Sequence, residues 1–295
     1  MMHRKTRTTA KLLIAVACLA LVVGLGCGLI SRMNGSASDS VDEALTAIGD
    51  DPQAALEYLA PEEDGSTDEN GTWVPGQTTV DQWTMLTSRD RGEGAEPLTT
   101  AVAGASAMRV QSQDATDERA AWVTGKGLDY AAGLSEQSFS AKVKNNVAVI
   151  LGNSMAEIED GVTRTRDTSG IESVSWDSRR PAILADDHGE DFKTLMKMVG
   201  TDDTALATMT DAAGRFSTAR TQAILDAHPD AVMSVDPGTA ESSDSPRLKE
   251  ELQTGISNDG MILGFIEQSA VNGRKKQGEN EAAADKTVAS TIQAL

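Results

Sequence analysis

Apolar positions along this chain fall into one long block followed by many short periodic ones. The block comes first: Leu12 to Ile30 reads LLIAVACLALVVGLGCGLI and carries no charge. A bilayer core takes about 20 apolar residues as a helix, and a single span can satisfy its own backbone only as a helix. Beyond it, apolar residues recur at the spacing of one helix face. Val41, Leu45 and Ile48 predict a short helix stopping at Gly49. Asp50 or Asp51 then caps a second, with Pro52 in its first turn and Pro61 ending it. Thr79 with Gln82 reads as a capping box for a helix carrying Trp83 and Leu86. Pro97 opens an Ala-rich helix through about Gln111, and another starts near Thr116 with Trp122, Val123 and Tyr130. Val143, Val147, Ile150, Leu151 and Ile158 form the clearest amphipathic stretch of the middle.

The second half continues in the same way. Phe192, Leu195, Met196 and Val199 predict one apolar face, ended by Gly200. Asp202 or Asp203 caps a helix carrying Leu206, Met209, Ala213 and Phe216, and a further one runs through Ile224 and Leu225 to His228-Pro229. Leu248, Leu252 and Ile256 restart a helix, with a break expected at Asp259-Gly260 before the buried piece Met261 to Ile266. Val288, Ile292 and Leu295 make the last face. Glu62 to Gln77 is an acidic, Gly-rich loop, and Thr163 to Ser178 is polar with extended pieces around Val174-Ser175-Trp176. Asp236 to Ser245, rich in Pro, Gly and Ser, is the candidate hinge. The expected class is all-α. A basic cytoplasmic tail (1–11), a transmembrane anchor (12–30) and a linker (31–40) lead to a helical extracytoplasmic domain (41–295). DEALTAIGDDPQAALEYLAP looks like one tetratricopeptide-type hairpin, without a second copy at a fixed period.

Charge gives the anchor a direction. Arg4, Lys5, Arg7 and Lys11 precede the run and only Arg32 follows closely, which places the N-terminus in the cytoplasm and the rest outside. A cleaved signal peptide is the alternative; its apolar core is usually about 7–15 residues, and the exit here would be Ser36-Ala37-Ser38. Ala20, Gly24 and Gly28 stack small residues on one face of the run, the pattern through which membrane helices pack closely. A homodimer through that face is one reading; the plainer one is that Gly and Ala are common in membrane helices. Cys27 follows Gly24-Leu25-Gly26, a poor match to a lipid-attachment site, so lipidation is not expected.

Composition narrows the chemistry. Of 26 Lys+Arg, five lie in residues 1–32, leaving 21 against all 45 Asp+Glu and a net charge of −24 on residues 33–295. A surface this acidic is repelled by phosphate, so no nucleic-acid partner is expected; a protein partner is. Both cysteines lie in the apolar run, so the exterior has neither disulfide nor thiolate site. Aromatics are only 3%, which leaves Ala, Val, Leu, Ile and Met to build the core.

Four local motifs invite chemical readings, and each has a plainer one. Ser66, Asp68, Asn70 and Gly71 resemble the start of a calcium loop, but Gln77 stands where a bidentate acid would close it. Asp186-Asp187-His188-Gly189-Glu190-Asp191 gathers possible metal ligands, yet contiguous acids before a helix are better explained as partners of its dipole. Gly125-Lys126-Gly127 lacks the strand and Lys-Ser/Thr of a phosphate loop. Tyr58 and Glu62 match a short secretion pattern, and a packed Tyr beside a surface Glu is the simpler account. No G-x-S-x-G or H-E-x-x-H is present. Catalytic residues, metal ligands and cofactors are not expected.

AAWVTGKGLDYAAGL, Val147 to Asn153, FKTLMKMVGTDDTALATM and ILGFIEQS together resemble a family of uncharacterised actinobacterial proteins, mostly from streptomycetes, over roughly residues 95–285. The resemblance implies an α-helical fold and supplies no catalytic residues. It also implies company with small secreted WXG-type proteins or polymorphic-toxin systems. Two functions follow as expectations: a membrane-anchored envelope protein that binds another protein, or a secreted effector or delivery module.

Overall fold

The computed structural model describes residues 36–69, 73–88, 95–111, 115–163, 189–230 and 245–293. Nearly all are helical. The chain divides into two units at Asn146/Val147, a different place from the candidate hinge at 236–245, of which only Ser245 lies among the described residues.

In the first unit, α1 (Ser36–Ile48) and α2 (Pro52–Leu59) form the expected hairpin. Asp51 caps α2, its carboxylate accepting from the Ala54 amide at 3.1 Å, and Pro52 sits in the first turn. Helix α1 begins at Ser36, so it takes up part of the stretch expected as spacer. Glu62–Asp64 makes a 3₁₀ turn, and the expected loop then contains an antiparallel hairpin, β1 (Gly65–Thr67) with β2 (Trp73–Pro75). The register pairs Thr67 with Trp73 and Ser66 with Val74. Next come α3 (Gln77–Ser88), α4 (Ala95–Ser106), the short α5 (Met108–Gln111) and α6 (Ala115–Ala132).

Helix α4 is the hub of this unit, packed by α1, α2 and α6. Leu98, Ala101, Val102 and Ala105 are buried, and so are Thr99, Thr100 and Ser106. The Thr99 and Thr100 hydroxyls return hydrogen bonds to the Ala95 and Glu96 carbonyls at 2.7 and 2.8 Å. They also accept from the Asn146 amide at 3.1 and 2.8 Å, so no polar atom of the pair is stranded. Small side chains permit the crowding. A Cβ at Gly104 would run into the Gly49 carbonyl, and one at Gly127 into Val102.

Helix α7 (Ala141–Gly152) carries the unit division, and a turn at Asn153-Ser154 separates it from α8 (Met155–Thr163). The amphipathic stretch of the middle is therefore two helices. The second unit adds α9 (Gly189–Val199), α10 (Asp203–Ala227), α11 (Ser245–Lys276) and α12 (Glu281–Gln293). Phe192, Leu195, Met196 and Val199 are buried as expected, and Asp202 caps α10 through the Ala205 amide at 3.0 Å.

Two expected interruptions are absent. Helix α10 runs unbroken from Phe216 to Ile224, where two helices were expected, and α11 runs unbroken through Asp259-Gly260. A single Gly costs a helix only about 1 kcal/mol, which tertiary packing overrides. Helix α11 is the hub, packed by α8, α9, α10 and α12. Ile262 and Ile266 line its buried side, whereas Ile256, expected on the apolar face, is exposed. It crosses α9 closely: a Cβ at Gly200 would meet the Ala270 backbone, and one at Gly273 the Lys197 carbonyl. Gly278, at φ 99°, closes α11. The Gly278 and Glu279 amides bond back to the Lys275 and Arg274 carbonyls at 3.0 and 3.1 Å, a Schellman turn.

Candidate functional site

The buried chemistry of both units is built on arginine. Arg109, Arg119, Arg220 and Arg274 are all buried in largely apolar cores. A guanidinium stays charged and offers five donors in a rigid fork, so it can join several chain segments at once.

Arg119 stands on α6 in the first unit. Its Nη2 donates to Glu57 on α2 at 2.8 Å and its Nη1 to Glu62 at 3.2 Å. Arg274, in the last turn of α11, donates from Nε to the Gly200 carbonyl at 3.1 Å, satisfying a carbonyl exposed by the end of α9. Its two Nη atoms reach Asp203 at the start of α10 (2.5 Å) and Glu279 in the Schellman turn (3.4 Å).

Arg220, on α10, makes the most enclosed set. It donates to Glu159 on α8, to Asp259 on α11, and to the Gly255 carbonyl at 2.7 Å. Asn258 donates to the same Glu159 oxygen at 2.8 Å, and the Ser217 hydroxyl donates to Asp259 at 2.6 Å. The guanidinium also lies 5.4 Å from the Phe216 ring centroid. Burial pushes the Glu159 carboxyl above its ordinary range, and Arg220 and the Asn258 amide only partly oppose it. Three helices thus meet on one cation and two carboxylates.

His228 closes α10 against α11. Its Nε2 sits 2.9 Å from Glu251, which also accepts from Arg247 at 2.9 Å. Burial acts to raise the Glu251 carboxyl, but the hydrogen bonds from His228 and Arg247 outweigh it and hold the carboxyl below its usual range. His228 is buried at the end of the helix and paired there.

In the first unit Trp73, Trp83 and Trp122 cluster edge to face, with centroids 5.6 and 5.8 Å apart across Trp122. Glu118 lies beside them. Burial raises its carboxyl, with the Trp73 backbone N–H and Arg109 acting the other way.

The motifs singled out by sequence separate. Ala20, Gly24, Gly28 and the whole Leu12–Ile30 run lie outside the described residues. Among the described residues no helix is long and apolar enough to cross a membrane. In the calcium-like stretch, Ser66 stands on β1, Asp68 is exposed, and Asn70 and Gly71 are outside the described residues. Asp186 to His188 and Val174 to Trp176 lie outside the described residues too. Among the described residues no group of three or more His, Cys, Asp or Glu is placed to hold a metal ion. Tyr58 is buried and Glu62 exposed beside it, as the simpler account had it. Gly125-Lys126-Gly127 lies inside α6, where Gly127 serves packing against Val102.

The capping box at Thr79 is replaced by something the local sequence does not show. Helix α3 starts at Gln77, and Asp64, fifteen residues before Thr79, accepts both the Thr79 amide (2.6 Å) and its hydroxyl (2.7 Å). Gln82 donates to the Tyr58 carbonyl at 2.9 Å. The arginine ties were missed as well. Only one signal foreshadowed them: arginines embedded in otherwise apolar helical spacing.

No curated protein matches the chain, and no solved structure matches it. A family model described as a family of unknown function, DUF6571, matches residues 28–295. That match spans both units and begins at the end of the apolar run, and the chain accordingly belongs to the DUF6571 family.

Proposed function

We propose that this chain is a single-pass cell-envelope protein of actinobacterial type, held in the membrane by residues 12–30 with its N-terminus in the cytoplasm. Its acidic helical exterior binds another protein and performs no catalysis. The observation that carries the reading is the uncharged run Leu12–Ile30 behind Arg4, Lys5, Arg7 and Lys11. The family match beginning at residue 28 supports treating that run as a separate anchoring segment. Helix α1, beginning at Ser36, supports its retention: proteases favour exposed loop backbone, and Ser36-Ala37-Ser38 is already helical. The buried arginines support a binding role, because Arg119, Arg220 and Arg274 spend their donors tying helices together. Ala20, Gly24 and Gly28 give the anchor a face for self-association.

The test is fractionation of cells carrying a C-terminally tagged chain, with protease added to intact wall-stripped cells. The expected result is full-length protein in the membrane with a protease-sensitive tag. Shortened tagged protein in the medium overturns the anchor and points to the secreted-effector reading. Replacing Gly24 and Gly28 by Ile is expected to abolish crosslinked dimers; unchanged crosslinking refutes the dimer.

A further inference from the structure

Arg220 brings one positive charge to two carboxylates, so the cluster it forms with Glu159 and Asp259 carries a surplus negative charge inside the second unit. Both acids are largely withdrawn from water, at 15% and 22% side-chain exposure. Among the described residues no second cation in the cluster meets the surplus. Besides Arg220 from α10 and Asp259 from α11, the partners facing Glu159 are the neutral Asn258 and, through Asp259, Ser217. On its own helix the nearby buried ionisable group is Glu157, another acid.

We propose that Glu159 is a proton-uptake site through which mild acidification tightens the joint between α8, α10 and α11. The hydrogen-bond pattern permits this without breaking the joint. Arg220 and Asn258 both donate to the same oxygen, Oε1, so a proton on Oε2 leaves both bonds in place and removes only the surplus charge. The residual exposure of the side chain gives solvent a route to it. Asp259 has no oxygen left over in the same way, because its two oxygens are taken separately by Arg220 and the Ser217 hydroxyl.

The direction of the Glu159 shift agrees. Burial raises the carboxyl in the folded state above its unfolded value. Its contribution to stability is therefore full below the unfolded value and lost as pH rises through the folded one. Glu251 opposes it only at lower pH: held below its usual range, it keeps its contribution until pH falls through that lowered value. Between neutrality and the ordinary glutamate range, Glu159 acts toward greater stability.

The test is urea unfolding of the full chain in mild detergent at pH 7.5, 6.5 and 5.5, for wild type and Glu159→Gln. Amide exchange over residues 155–163 and 203–227 assigns the transition to the second unit. Glutamine keeps the Oε1 acceptor and cannot take a proton, so the variant is expected to match or exceed wild type at pH 7.5. The wild type gains on acidification by up to about tenfold in folding constant per pH unit, the limit for one proton, and the variant lacks that gain. A wild-type to variant ratio that does not change with pH overturns the proposal. So does loss of the gain in Asp259→Asn with its retention in Glu159→Gln. Should Glu159→Gln fail to fold, infrared spectra of wild type labelled with ¹³C-glutamate decide. A protonated glutamate carboxyl persisting above the ordinary range is expected, and its absence overturns the proposal.

Discussion

Arg220 and Arg119 are equally buried, at 3% and 2% exposure, yet their removal is expected to have unequal consequences. What differs is the partners left behind. Replacing Arg220 by Met strands Glu159 and Asp259, which are only 15% and 22% exposed. Removing one side of a buried ion pair costs about 3–5 kcal/mol, and Arg220→Met is expected in that range. Replacing Arg119 by Met leaves Glu57 and Glu62 at 44% and 82% exposure, free to solvate. The loss is then mainly that of hydrogen bonds to exposed carboxylates, about 1–2 kcal/mol. Urea unfolding followed by far-UV circular dichroism and by tryptophan fluorescence measures both. Trp73, Trp83 and Trp122 all belong to the first unit and register Arg119→Met directly. The triple change Arg220→Met, Glu159→Met, Asp259→Leu is expected to recover most of the Arg220→Met loss, because it removes the cation and both of its carboxylates together. The reasoning is refuted if Arg119→Met costs as much as Arg220→Met, or if the triple variant is no more stable than the single one.

Two further outcomes follow from local geometry. Gly273→Ala places a Cβ against the Lys197 carbonyl and 3.1 Å from Thr201 Cγ2, and is expected to cost about 1–3 kcal/mol; Gly260→Ala, on the same helix in open space, is expected to gain up to about 1 kcal/mol. Thermal unfolding separates them, and shifts of the same sign count against the close-approach account. Asp64→Ala uncaps α3 and is expected to cost about 0.5–2 kcal/mol at neutral pH. The Thr79 hydroxyl bond holds the Asp64 carboxyl below its usual range, against the effect of burial. Its contribution is therefore present above the unfolded value and lost as pH falls through the folded one, so the variant should show a flatter acid limb in a pH–stability profile.

Features set by neighbouring residues were legible in the sequence. Asp51 and Pro52 start α2, Asp202 caps α10, and Phe192, Leu195, Met196 and Val199 face inward, because caps and amphipathic faces depend on residues within a turn or two. Features set by distant residues were not. Asp64 caps a helix fifteen residues away, and Arg220 meets Glu159 across 61 positions. The continuity of α11 through Asp259-Gly260 has the same origin: Asp259 is held by Arg220 and Ser217, so packing overrules local propensity. The β1–β2 hairpin escaped because three-residue strands carry too little alternation to be read, and Trp73 is fixed by Trp122 from another helix.

The positions of the two hub helices set an order of events during synthesis. Helix α4 is met early: α1 and α2 precede it, α6 follows within a few tens of residues, and the first unit can close once residue 146 is available. Helix α11 comes late. Helices α8, α9 and α10 are all made before the helix they pack against, which is complete only at Lys276. At about 5–20 residues per second, the interval from residue 146 to residue 276 lasts roughly 7–26 s. For that time the first unit stands folded while three apolar helix faces behind it wait for a single late helix, and the nascent chain is most open to chaperones and to mispairing with other copies in that window.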